Sequence, residues 1–235
     1  MKKFLINILC SFVPNRQARK RIRFMIENRK MIKKMKKFVI GFSDKKHPQI
    51  KYTFGFRCAN LVVSLDNKWV FKFPFDSDNG KEISIREKRI TDCLRSISPV
   101  KIPDMEIIEW NGIFVRKYEY VSGVGFRNLS RKEQNENAEK IAKQLAKFLY
   151  VVGKSDPAEI ADLKNNKSDK PSMMHGWNQN DLWDNFIMNP TNFEIVGIID
   201  WESAGFNDFY DCFTHGTKNS IIKTCLLREY LKLAK

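Results

Sequence analysis

The chain is short of the residues that staple or metallate small domains. Its five cysteines, at 10, 58, 93, 212 and 225, are odd in number and include no Cys-x-x-Cys pair. A disulfide framework is thereby excluded, and a reducing compartment is the simplest reading. Three histidines, at 47, 175 and 215, are scattered without ligand spacing, which argues against a structural zinc site. Long apolar runs are missing as well. The ten residues Phe4 to Val13 contain Asn7 and Ser11 and stop at Pro14, too short a run to span a bilayer. No small-x-small cleavage pattern follows it. No internal repeat is visible. Acids are scarce in one place only. Residues 1 to 38 hold thirteen Lys or Arg against one acid, Glu27, so they carry +12 of the net +15 and the other 197 residues carry +3. The basicity belongs to an N-terminal arm.

What is present suits a packed protein. The chain has 235 residues, 18 of them Phe, and 43% are hydrophobic, so wholesale disorder is excluded and one sizeable domain or two small lobes can bury a core. In the arm, Ile22, Met25, Ile26, Ile32, Met35 and Val39 recur at three, four and seven among Lys and Arg. This predicts a basic amphipathic helix that either lies on an anionic membrane surface or packs on the body. Few aromatics are interleaved with its charges, so nucleic acid is a poor partner for it.

From 50 to 121 the pattern is strand-rich. "YTFGFRCANLVVSL" and "KWVFKFPF" are split by "DNK", and "EIIEWNGIFVRKYEYV" turns at "WNG", so both read as hairpins. Between them Ile83, Ile90 and Leu94 mark a helix. Ser130 and Glu133 form a capping box before a core helix bearing Ala138, Ile141, Ala142, Leu145 and Leu149. Residues 153 to 172 read as a polar loop. A loop "NQNDLWDN", a β-pair "FIMN" and "FEIVGIID", and a helix from Ser220 to Ala234 complete the order.

Two stretches concentrate chemistry: "HGWNQNDLWDNFIMN" (175–189) and "EIVGIIDWE" (194–202). Asp181 and Asn185 sit in one tight loop before a strand. Asp200 ends the strand that pairs with it, which brings the three groups to one edge, where a cation or a proton lets them coexist. Lys72 lies inside the apolar strand "WVFKFP", and Glu87 follows fifteen residues later in the predicted helix. Phosphoryl transfer from ATP needs this inventory: a Lys on the phosphates, a Glu to orient it, a carboxylate base, and oxygen ligands for magnesium (Mg2+).

With its continuation "FEIVGIIDWESAGFNDFYD", the first of these stretches resembles the aminoglycoside phosphotransferase and choline kinase group of protein-kinase-like enzymes. "FGFRCANLVVSL", "VFKFP", "IREKRI" and "YEYVSG" sit where that group has its nucleotide loop, phosphate Lys, partner Glu and hinge, so the likeness runs from about 50 to 215. It implies an α+β, two-lobed protein-kinase-like fold: a basic helical arm (1–45), a β-rich nucleotide-binding lobe (46–121), and a mainly helical lobe (122–235) with the catalytic and metal residues. Asp181 would be the catalytic carboxylate, and Asn185 and Asp200 the magnesium ligands. Lys72 would hold phosphates with Glu87 behind it. Gly55 to Asn60 would cover the nucleotide, and Glu119 to Val121 would meet the adenine. Asp208 and Asp211 would anchor the following loop.

The implied enzyme is an ATP- and magnesium-dependent phosphotransferase acting on a hydroxyl of a small molecule or saccharide, such as a cell-surface glycan precursor. It would be cytoplasmic, with the arm touching the inner face of the membrane. Two departures from the group stand out. The spacing from Asp181 to Asn185 is four residues where the group has five, and an alternative register puts Asn180 in the catalytic position. His175-Gly176 is also separated from Asp181 by "WNQN". Either the loop is locally rearranged, or the protein is a pseudokinase that binds nucleotide or a partner without turnover. Only 24 residues follow Asp211, so acceptor binding is expected to be abbreviated or built from 153 to 174.

Overall fold

The computed structural model describes residues 15–55, 59–164, 174–214 and 216–235. The apolar run from Phe4 to Val13, the tip of the expected nucleotide loop and residues 165–173 of the acceptor loop expected at 153–174 lie outside these residues. The chain divides into two compact units. The first takes the residues up to Glu82 together with Glu106–Tyr120; the second takes Ile83–Met105 and Val121–Lys235.

The arm is two helices, α1 (Arg16–Glu27) and α2 (Arg29–Ile40), where the periodicity predicted one. The break falls at Asn28, whose side chain donates back to the Phe24 carbonyl at 2.9 Å. Next come β1 (Ile50–Phe54), β2 (Asn60–Leu65), β3 (Trp69–Pro74), helix α3 (Ser77–Arg95), β4 (Met105–Trp110) and β5 (Ile113–Glu119). The sheet order is β1-β2-β3-β5-β4. Both expected hairpins form. Asp66 and Asn67, in a three-residue connection, turn with φ of 56° and 53°, and Asn111 and Gly112, in a two-residue one, with 50° and 74°, left-handed values that match strand twist.

Alternation along the strands gives the sheet two faces. Leu61, Val63, Leu65, Phe71, Phe73 and Val115 pack with Ile32, Met35 and Val39 of α2. The apolar stripe of α2 is therefore spent on its own sheet, while Lys30, Lys33, Lys34 and Lys37 stay exposed. Of the two fates open to the arm, packing on the body is the one α2 takes. Among the described residues no helix is long and apolar enough to cross a membrane.

The second unit is mainly helical. After β6 (Val124–Gly125) and a 3-10 turn (Phe126–Asn128) come α4 (Arg131–Glu136) and α5 (Ala138–Lys154). Ser130 and Glu133 form the full reciprocal capping box. The predicted face of α5 is entirely buried, and α5 packs on the last helix, α8 (Ser220–Leu233). Between them lie β7 (His175–Asn178), the one-turn helix α6 (Leu182–Asn185), β8 (Phe186–Met188), β9 (Ile195–Ile198), β10 (Gly205–Asp208) and α7 (Asp211–Thr214). β8 joins β6 and β9 in a small antiparallel sheet, and β7 pairs with β10. Strand β7 ends on the first residue of the loop expected at 178–185, and α6 forms one helical turn inside it. Gly176 belongs to the packing of β7, because a Cβ at that position would collide with the backbone of Gly153 in α5.

Packing of the arm sets a test. Met35→Ala, at a fully buried position, is expected to cost ~2–5 kcal/mol of unfolding free energy. Lys33→Ala on the exposed face of the same helix should change it by no more than about 0.5 kcal/mol. Chemical denaturation reads both.

Candidate active site

The segment from Asn178 to Asn185 is held by side-chain amides that bond to backbone. Asn178 Oδ1 accepts from the Asn180 N–H at 2.8 Å, and its Nδ2 donates to Asn207 Oδ1. This Asx turn carries Asn180 to φ 68°, a conformation asparagine tolerates better than most residues. Buried Gln179 donates Nε2 to the carbonyls of Asp200, at 2.5 Å, and Ile199, at 3.2 Å. Asn180 Nδ2 donates to the Ser203 carbonyl at 2.6 Å, and Ser203 Oγ donates to the Gln179 carbonyl at 3.2 Å. The loop is thus laced to residues 199–203.

Asn180 therefore spends its side chain on structure. Asp181, the next residue, is exposed, starts α6 and makes no capping bond. The short spacing to Asn185 has a simple geometry: four residues make one helical turn, which brings i and i+4 to one side. Asn185 Nδ2 donates to the Asp181 carbonyl at 3.1 Å, so its amide oxygen is the end that can meet a cation. Its backbone carbonyl accepts from the Ile199 N–H at 2.9 Å, which sets Asp200 one residue beyond a direct bond to Asn185.

Asp200 has φ 59°. A non-glycine residue held there costs about 1–3 kcal/mol unless its surroundings dictate it. They do so from both sides. Gln179 holds the Asp200 carbonyl, and the next N–H, that of Trp201, donates to Glu87 Oε1 at 3.0 Å. Glu87 is 1% exposed. Its neighbour Arg86 donates to the carbonyls of Ala204, at 2.5 Å, and Glu202, at 3.4 Å. Burial pulls the Arg86 guanidinium below the usual arginine range, while the adjacent Glu87 charge pulls it back up.

In the first unit, the sheet face opposite α2 carries Lys72, 3% exposed. The register sets Lys72 beside Val62 of β2 and Arg116 of β5. Arg116 is 1% exposed, and its Nη2 donates to Asn60 Oδ1 at 2.8 Å. Two buried cations on adjacent strands are costly unless anions compensate them. The Gly55 N–H donates to the Asn60 carbonyl at 3.0 Å, closing the base of the expected nucleotide loop. Residues 56–58 of that loop lie outside the described ones. Glu119 is exposed at the end of β5. Val121, in the second unit, lies against Gly197, where a Cβ would sit 2.9 Å from its Cγ1.

Asp181, Asn185, Asp200 and Glu87 thus share one hydrogen-bonded network, and Lys72 and Asn60 share one sheet, with Gly55 bonded to Asn60 just past the end of β1. Arg86 and Arg116 escaped the sequence reading. The signal for Arg116 was its place directly after the apolar run Ile113–Val115; Arg86 carried none. His175 lies on a strand with its ring centroid 4.8 Å from that of Phe206, not in a loop. Trp177, Trp183 and Trp201 are core residues. The side chain of Asp211 is outside the described residues; Asp208 accepts from the Tyr210 N–H at 2.8 Å. Among the described residues no three His, Cys, Asp or Glu side chains cluster. A cation here would rest on the Asp200 carboxylate and the Asn185 amide oxygen, with phosphate and water oxygens completing its shell. That hard, sparse donor set suits magnesium.

Neither a family model nor a curated protein sequence matches the chain. Solved structures match it in fold. Aminoglycoside 2'-phosphotransferase-IIIa in its GDP complex superposes with a TM-score of 0.63 at 16% identity, over 85% of this chain and 82% of its own. A GDP and kanamycin complex of an aminoglycoside phosphotransferase gives 0.63 at 16% identity, over 83% of each chain. A macrolide 2'-phosphotransferase from Brachybacterium faecium gives 0.54 at 16%, over 78% and 77%. The chain therefore has the protein-kinase-like fold of these phosphotransferases.

The Glu87 contact can be tested directly. Glu87→Ala leaves the Trp201 N–H buried without its acceptor and is expected to cost ~1–3 kcal/mol of stability. Glu87→Gln keeps an acceptor oxygen and should cost less than half as much. Denaturant unfolding of both variants separates the two.

Proposed function

We propose that the protein transfers the γ-phosphoryl group of ATP to a hydroxyl of a small molecule or saccharide. The observation that carries this is the single network joining Asp181, Asn185 and Asp200, in which the amide nitrogens of Asn178, Gln179, Asn180 and Asn185 are engaged and the exposed Asp181 carboxylate makes no capping bond. Asp181 accepts the proton of the attacking hydroxyl. The hydroxyl oxygen bonds to the γ-phosphorus, the bond to the β–γ bridging oxygen breaks, and ADP leaves. Lys72 neutralises phosphate oxygens, and Arg116 holds Asn60 under the nucleotide loop. Asn185 and Asp200 are the residues that would hold magnesium, which spreads the charge of the transferring group.

In this reading Glu119 and Val121 flank the adenine, and Gly55 to Asn60 cover the phosphates. Fold neighbours are known in GDP and in ATP complexes, so GTP belongs in the same test. The acceptor we favour is a saccharide precursor of the cell surface, with the protein cytoplasmic and its exposed arm lysines resting on the anionic inner face of the membrane. A second reading, nucleotide binding without turnover, is favoured by the four-residue spacing.

The test is a thermal-shift titration with ATP or GTP, with and without magnesium, alongside nucleotide turnover. A magnesium-dependent rise in Tm is expected for the wild type, lost in Asp200→Ala and kept in Asp181→Ala, with turnover lost in both. A rise in the wild type without turnover supports the second reading. No rise under any condition removes the proposal.

A further inference from the structure

An open cavity of about 740 Å³ lies in the second unit, within the usual size of small-molecule sites. Four cations line it, Arg127, Arg131, Lys218 and Lys223, and no carboxylate does among the described residues. Arg127 is already matched, by an ion pair with Asp184 and a 3.0 Å bond to the Gly216 carbonyl. Among the described residues the other three have no anionic partner. Arg131 reaches the Lys218 carbonyl at 3.4 Å, and Lys223 Nζ donates to the Thr214 carbonyl at 2.8 Å. The hydroxyl of Thr217 adds a further polar group to the wall.

The cavity also has a fixed relation to the catalytic loop. Arg127 grips Asp184, and the ring of Phe126 lies 5.3 Å from that of Trp183. Both contacts hold the wall against α6, the single turn that begins at Asp181. The Asp184 N–H in turn donates to the Asp181 carbonyl at 3.1 Å.

We propose that this cavity is the acceptor site, and that the acceptor carries a phosphate monoester besides the hydroxyl it presents to Asp181. The assignment rests on the phosphotransferase reading and gives that reading its substrate class. A phosphate monoester bears between one and two negative charges and three strong acceptor oxygens, which three uncompensated cations and a hydroxyl can meet with charge-assisted bonds. A polycationic amino sugar meets the wrong sign on every charged side chain of the wall except Arg127, which is neutralised.

Calorimetric titration of the full chain tests this, using a hexose 6-phosphate, the unphosphorylated hexose, kanamycin and dihexanoyl phosphatidic acid as probes. The protein is the wild type and the double variant Arg131→Gln with Lys218→Gln. The ATP-magnesium thermal shift is measured on the same samples. A phosphate ester is expected to bind the wild type, weaken with salt, and lose about tenfold or more in affinity in the double variant, while the nucleotide shift stays unchanged.

Preference for the hexose phosphate identifies a soluble sugar as carrier, and preference for the phosphatidic acid a lipid; either supports the site. Binding of hexose or kanamycin as tight as that of the phosphate esters overturns it. So does phosphate-ester binding that ignores the substitutions, or none at all. A wild type that binds the phosphate ester in this way but shows no nucleotide shift keeps the cavity as an anion site and sinks the phosphotransferase reading alone. The two failures are therefore distinct.

Discussion

The backbone N–H of Trp201 is buried and meets the carboxylate of Glu87 at 3.0 Å. Much of the site depends on that bond. It fixes the peptide after Asp200, and with Gln179 on the preceding carbonyl it leaves Asp200 no freedom to relax out of its left-handed conformation. The segment so fixed is the one to which Asn180 and Ser203 tie the loop that precedes α6. Arg86 grips the same stretch two and four peptides on from Asp200, at Glu202 and Ala204. Two consecutive residues of one helix therefore decide where a carboxylate more than a hundred positions away can point. A buried donor with a charged acceptor makes such a tie strong, because breaking it strands both groups.

Much of this was legible in the sequence, and for identifiable reasons. Both sheet hairpins announce themselves by alternation around Asp66-Asn67 and Asn111-Gly112, since only short polar residues and glycine accept those dihedrals. The capping box at Ser130 and Glu133 and the apolar face of α5 are local patterns, and local patterns survive folding. Asp200 stands out because a carboxylate that closes an apolar strand needs a partner. What stayed hidden depends on pairing between distant segments. The pairing of His175–Asn178 with Gly205–Asp208 went unread because the two strands lie some thirty residues apart. Nothing local tells that Glu87 Oε1 serves the Trp201 N–H. The amides of Asn178, Gln179 and Asn180 look like ordinary loop residues until the carbonyls they serve are known. The arm resolves into two helices because Asn28 satisfies its amide on the backbone, a choice that periodicity does not report.

Charge shows the same limit of averaging. Outside the arm the chain carries only +3 over 197 residues, which suggests a neutral body. The body is neutral only in sum. Its acids are drawn into ion pairs such as Arg89 with Asp162, at 2.7 Å, and Lys88 with Asp92, at 2.8 Å, while Arg131, Lys218 and Lys223 gather around one cavity. Segregation of charge within a near-neutral surface is a stronger statement about a ligand than net charge is, because a field acts over about a Debye length and no further.

The docking of α2 on the sheet also orders events in time. The helix is made before any strand it covers, and its core partners extend to Val115 in β5. At synthesis rates of roughly 5–20 residues per second, Ile32, Met35 and Val39 wait several seconds with their apolar stripe open and their lysines alongside. During that interval the nascent arm is a basic amphipathic helix whose apolar stripe has no sheet to cover it. Completion of β5 is what closes the last of that stripe, while the lysines beside it stay exposed from synthesis to the folded state.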